Sequence, residues 1–187
     1  MTPDQAPEFQ PGIQPRPSLW RRLDMLSRRG LPAALTGMAV LLLSAPFGLP
    51  GQAELLPGVV LSSVFFWSVF RPASMSSPIV FLLGILVDLL GFGPPGVMLL
   101  VVLLVHGVAL SGRYGFSRAH ILVLWIVFGG LSLAATALQW GLISALSLHL
   151  VPTVAFAFQW VLGVGVFPLL CVVFSTLGRS IANPDRA

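Results

Sequence analysis

Asp88 is the one charged residue inside an apolar stretch of this chain, in the run FLLGILVDLLGFG. An ionised carboxylate in hydrocarbon costs about 3 kcal/mol or more, so such a residue faces protein, faces water or carries a proton. Gln139 and Gln159 are set in the same way inside two later apolar runs. At about 1.5 Å per helical residue, all three fall roughly 6–12 Å below one membrane surface. The depth predicts one polar cluster of Asp88, Gln139 and Gln159, which either holds helices together or lines a cavity. The alternative is that Asp88 simply reaches the outer interface.

The remaining candidates point away from catalysis. His106, His120 and His149 lack the short helical spacing of a metal site, and no acidic residue stands near them in sequence. The bland role for His106 is an interhelical hydrogen bond. Cys171 is the single cysteine, which excludes an intrachain disulfide and a cysteine-based metal site. Gly91-Phe92-Gly93-Pro94-Pro95-Gly96 matches G-x-G-x-x-G in letters. A dinucleotide fingerprint needs a strand before it and a helix after it in a soluble βαβ unit, and here the motif joins two apolar helices. No G-x-S-x-G or P-loop is present. The expectation is a protein that is not an enzyme and carries no cofactor or metal.

The elements that must position these residues are membrane helices. Charged residues make up 9% of the 187 residues, against roughly 25% in an ordinary soluble domain. Apolar residues are 56% and the mean hydropathy is +0.94, so a soluble enzyme and a disordered protein are both excluded. Residues 1–17, with prolines at 3, 7, 11, 15 and 17, read as a disordered tail. Residues 18–30 read as a basic amphipathic helix beside the membrane, with Leu19, Leu23 and Leu26 on one face and arginines on the other. Six apolar runs follow, at 31–49, 55–70, 78–92, 96–112, 119–147 and 152–178, and each reads as helix because lone strands cannot satisfy their backbone in lipid. Residues 31–178 then form the membrane domain and 179–187 a second tail.

Every basic residue is an arginine. Arg16, Arg21, Arg22, Arg28 and Arg29 precede the first run, and Arg71 separates the second from the third. Arg113 and Arg118 separate the fourth from the fifth, and Arg179 and Arg186 follow the sixth. The loops around 50–54, 93–95 and 148–151 hold none. The asymmetry predicts six spans with both termini cytoplasmic. With a pI near 11.1, the N-terminal arginines point to anionic lipid rather than nucleic acid.

Three further features follow from composition. The second and third runs are short for a span, as expected of a locally thinned membrane or of a broken pair. Phe65, Phe66, Trp67 and Phe70, beside Arg71, read as an aromatic belt at the inner interface. Gly130, Ala134, Ala137 and Gly141 recur at three- or four-residue spacing. Such a stripe packs helices closely in lipid, by default the fifth against the sixth, alternatively against a partner's helix.

The stretch from Phe66 to about Leu104 resembles the rod shape-determining protein MreD family. FWSVFRP at 66–72 and FLLGILVDLLGFGPPGV at 81–97 follow that family's order: an aromatic-rich run ending near Arg-Pro, a helix with a glycine and a near-terminal Asp, then a Gly-rich turn. Gly84, Asp88, Gly91, Gly93, Pro94 and Gly96 form the matching turn motif. Pro95 replaces a common Leu, and Met98–Leu99 stand where relatives often carry His or Arg. The resemblance implies a non-enzymatic inner-membrane subunit of the machinery for lateral wall growth. Its implied partners are an MreC-like bitopic protein, a RodA-type glycosyltransferase with its transpeptidase and, indirectly, the MreB filament; self-association is a further option.

The family's fold is similar to that of substrate-binding subunits of energy-coupling-factor vitamin transporters. That similarity implies an alternative, a transporter subunit with a small ligand in a pocket near Asp88, Gln139 and Gln159. The expected fold is therefore an all-α polytopic membrane protein.

Overall fold

The computed structural model describes residues 19–45, 48, 51–91 and 93–182, so the tail expected at 1–17 and residues 183–187 lie outside it. Among the described residues the chain is all helical, with α1 at Leu19–Ser44, α2 at Gln52–Phe70 and α3 at Ser77–Leu90. The second half holds α4 at Val97–Phe116, α5 at Ile121–Leu146 and α6 at Thr153–Ala182. Helices α2, α4, α5 and α6 are long and apolar enough to cross a membrane, while the apolar parts of α1 (Gly30–Ser44) and α3 are shorter. At 14 residues, α3 is about 21 Å long, against a hydrocarbon layer of about 30 Å.

Two boundaries differ from expectation. From Leu19 the basic segment and the first apolar run form one helix: α1 continues without interruption to Ser44, with Pro32 inside. Proline holds φ at a helical value, so its cost is confined to the missing donor and to crowding in the turn before it. At the other end α6 continues through Ala182, past the boundary expected at 179. Gly178 does not stop it, because glycine costs a helix interior only about 1 kcal/mol.

Helix α2 is the axis of the bundle. Residues 56–69 are buried without a break, as expected of a helix that is apolar all round. Helices α1, α4, α5 and α6 pack on it, and α3 closes the layer against α1 and α4. This arrangement overturns the aromatic-belt reading. Phe65, Phe66 and Trp67 are buried and only Phe70 is exposed, because their helix is enclosed on every side. Phe65 instead meets Phe128 of α5 at 5.5 Å and Phe167 of α6 at 5.9 Å, and those two rings stack at 4.1 Å.

Helices α2 and α6 cross at very short range. A Cβ added at Gly58 would lie 2.7 Å from the Gly163 Cα, so the two backbones touch where neither residue has a side chain. Close approach of this kind drives helix association in lipid, where the solvent is as apolar as the protein. Helices α5 and α6 are strapped by indoles: Trp125 Nε1 donates to Val164 O at 2.9 Å, and Trp160 Nε1 donates to Gly129 O at 3.0 Å.

The helices alternate in direction, so two ends of the bundle can be told apart. One end gathers the C-terminal turns of α1, α3 and α5 with the N-terminal turns of α2, α4 and α6 around a shared cavity. Arg71, Arg113 and Arg118 lie at the opposite helix ends, where Arg71 Nη2 donates to Gly178 O at 2.9 Å. Gly58→Ala is expected to destabilise the bundle by about 1–3 kcal/mol through overpacking. Gly130→Ala, with no neighbour within 4 Å, is expected to gain up to about 1 kcal/mol from helix propensity. Unfolding of both variants in lipid micelles, followed by circular dichroism, checks the contrast.

Candidate functional site

The turn after α3 shows what Asp88 does. Helix α4 begins after Gly96, whose φ of +91° lies in the left-handed region that favours glycine. The first amides of any helix lack intrahelical partners, and Gly96 has no side chain with which to cap them. Asp88 reaches across from the last turn of α3 instead. Its Oδ2 accepts from Gly96 N at 2.9 Å and Leu99 N at 3.0 Å, and its Oδ1 accepts from Met98 N at 3.0 Å. A carboxylate at a helix N-terminus also meets the positive end of the helix dipole.

Gly84 makes that reach possible. It lies one turn before Asp88, on the same face of α3, and a Cβ there would sit 2.9 Å from the Leu99 Cα. The two helices therefore touch where the carboxylate must arrive. The family-like residues Gly84, Asp88 and Gly96 thus act together as a clasp between α3 and α4. Gly91 ends α3 by donating its amide to Val87 O at 2.8 Å, and Gly93 and Pro94 complete the turn.

Gln139 of α5 and Gln159 of α6 are joined directly: Gln159 Nε2 donates to Gln139 Oε1 at 2.8 Å. All three predicted polar residues line one cavity of about 520 Å³. They do not form a single network, since the Asp88 bonds go to the α4 backbone and neither glutamine shares them. The wall includes a residue the sequence reading passed over. Gln52, at the first position of α2, donates to Leu43 O at 2.8 Å and Ala45 O at 2.5 Å, tying the start of α2 to the end of α1. Its signal was its place in sequence directly after Pro50-Gly51, a pair with turn chemistry.

The small-residue stripe of α5 faces outward. Gly130, Ala134 and Ala137 are exposed and Gly141 is partly so, with nothing near the Cβ positions of Gly130 and Gly141. The default expectation that this stripe packs α5 against α6 is therefore corrected. That contact runs past Gly129, beside Val164, and through the indole bonds. The stripe begins one residue on, at Gly130, about 100° round the helix and off the bundle.

His106 is buried in the body of the bundle. Its Nδ1 pairs with Ser68 Oγ of α2 at 2.7 Å and its Nε2 with Ser77 Oγ of α3 at 3.2 Å. Both ring nitrogens are occupied, so the imidazole of α4 ties α2 and α3 to its own helix. His120 caps α5 by accepting from Leu122 N, and His149 lies in the α5–α6 loop against Ser147 O.

No protein-family model, curated protein or solved structure matches the chain. The clasp is therefore judged on its own geometry, and a graded series tests it. Asp88→Asn keeps one acceptor oxygen, and Asp88→Leu keeps none. Stability is expected to fall in the order Asp, Asn, Leu, with Leu costing about 2 kcal/mol, as for loss of a strong helix cap. Denaturant unfolding in micelles measures the order, and equal stability of the three would refute the capping role.

Proposed function

We propose that this chain is a six-span scaffold subunit of the bacterial inner membrane, of the MreD type, with both termini cytoplasmic. In this reading α1 and α3 complete the six spans across a locally thinned bilayer, and the arginines mark the cytoplasmic side. The protein catalyses nothing. It holds an MreC-like bitopic protein and a RodA-type glycosyltransferase with its transpeptidase in a productive arrangement, with the MreB filament acting indirectly. Contact energy then shifts those partners between states. The basic segment at 18–30 adds an attraction to anionic lipid, and a second copy of the chain is a further partner.

The observation that carries this reading is the outward stripe of Gly130, Ala134 and Ala137 on α5. Small residues with open space in front of them let a second helix approach closely, which is the means of association that lipid leaves available. The clasp of Gly84, Asp88 and Gly96 adds support, because it gives a physical reason for the spacing that resembles the family's motif.

The cavity favours a second reading, a vitamin-type substrate-binding subunit of a membrane transporter. Depletion in the native cell separates the two. The scaffold reading expects rounded cells with mislocalised wall synthesis, whereas the transporter reading expects normal shape with growth rescued by an added vitamin. On the scaffold reading, Gly130→Leu weakens recovery of the MreC-like partner by about tenfold, equivalent to about 1.4 kcal/mol of overpacking. Its own folding stays unchanged. Quantitative pull-down reads the first quantity and circular dichroism the second; full recovery would remove the stripe from the partner surface.

A further inference from the structure

The cavity wall contains more hydrogen-bonding capacity than the protein uses. Gln159 is 7% exposed, and its one side-chain bond is the donation to Gln139. That bond leaves an acceptor oxygen on Gln159 and a donor nitrogen on Gln139. Exchanging the amide nitrogen and oxygen on both residues leaves the same complement, one donor and one acceptor. Both residues line the cavity, so a guest that enters can bond these free groups directly.

The other polar side chains of the wall each make at least one bond, and Gln52 Oε1 is a further acceptor. Gln52 donates to two carbonyls, Ser44 donates to Val40 O, and Asp88 accepts from three amides. A cationic guest would have to compete with the α4 amides for that carboxylate, and an anionic guest would be repelled by it. The rest of the lining is apolar, including Leu56, Val87, Ile143 and Phe156. At about 520 Å³ the space falls within the roughly 300–1,000 Å³ typical of small-molecule sites.

We infer that this cavity binds a neutral small molecule with an N–H and a C=O side by side on one edge, such as a lactam, imide or cyclic urea. Its edge pairs with Gln139 and Gln159, and its apolar remainder lies toward Leu56 and Ile143. The site stands on the cavity alone and is separable from the scaffold reading. Rounding on depletion combined with failure of the binding test below would leave the scaffold standing and overturn the site.

The test uses the full chain in lipid nanodiscs, with empty nanodiscs subtracted, and saturation-transfer magnetic resonance as the readout. The probe is a hexyl-substituted γ-lactam, and the reference is the matching hexyl cyclopentanone, which has the same shape but no N–H. The lactam is expected to bind saturably and about tenfold more tightly than the ketone, the worth of one desolvated hydrogen bond. Gln159→Leu is expected to erase that preference, and Ile143→Trp, which fills the cavity, to weaken both compounds. Gln139→Leu serves in place of Gln159→Leu should the latter lose its helical dichroism. Equal binding of lactam and ketone, an unchanged preference in the glutamine variant or no saturable lactam binding would each overturn the assignment.

Discussion

A helix that starts at the edge of a bilayer presents amides that lipid cannot satisfy, and the start of α4 is the place where this chain meets that constraint with a charge. The Asp88 carboxylate takes the amides of Gly96, Met98 and Leu99. Hydrogen bonds to charged groups are worth about 1.5–3 kcal/mol each, so three of them offset the cost of partly burying the carboxylate. Gly96 itself supplies no cap, because the turn places it at positive φ, where glycine is favoured and has no side chain to offer. The demand passes to α3, and Gly84 must stay small so that α3 can lie close enough. One unmet backbone requirement therefore sets the residue types at three positions along 13 residues of chain, 84 to 96.

The same clasp shapes the cavity. With its lone pairs directed at α4, Asp88 does not join the glutamines, and Gln139 and Gln159 turn to each other across α5 and α6. Two polar pairings meet in one wall without merging. Beneath them the bundle is built around α2, whose contact with α6 at Gly58 and Gly163 is backbone on backbone. Hydrophobicity gives little sorting force between helix and lipid, so the fold relies on close crossings, indole-to-carbonyl straps and the His106 tie to Ser68 and Ser77.

The helices themselves were readable because their breaks carry strong turn chemistry and lipid permits little else. Asp88 was readable as a lone acid, and the depths of Gln139 and Gln159 were readable by counting residues. The partners of Asp88 were not, because they are backbone amides and amides leave no trace in residue identity. Depth along a helix also says nothing about azimuth. Phe65, Phe66 and Trp67 have the depth of a belt but face the core, and Gly130 and Ala134 have the spacing of an internal seam but face outward. Periodicity reports that a stripe exists, and only the packing of neighbours decides what the stripe meets. The continuity of α1 was hidden by composition: the basic stretch up to residue 30 and the apolar run from 31 differ so much in character that they read as two elements.

Helix α5 connects the two surfaces on which the functional readings rest. Gln139 and Ile143 face the cavity, while Gly130, Ala134 and Ala137 lie on the outward side of the same helix. A helix moves largely as a unit, so any tilt or rotation of α5 that accommodates a partner's helix also changes the distance between Gln139 and Gln159. By linkage, a guest that spans the two glutamines stabilises one position of α5 and so favours or disfavours the partner by the same free energy. The effect requires two positions of α5 that the guest and the partner distinguish, since equal affinity for both would shift nothing. The Phe128–Phe167 stack and the two indole straps resist sliding of α5 on α6, and at the cavity end the Gln159–Gln139 bond and the donation of Trp140 Nε1 to Val151 O set the position of α5.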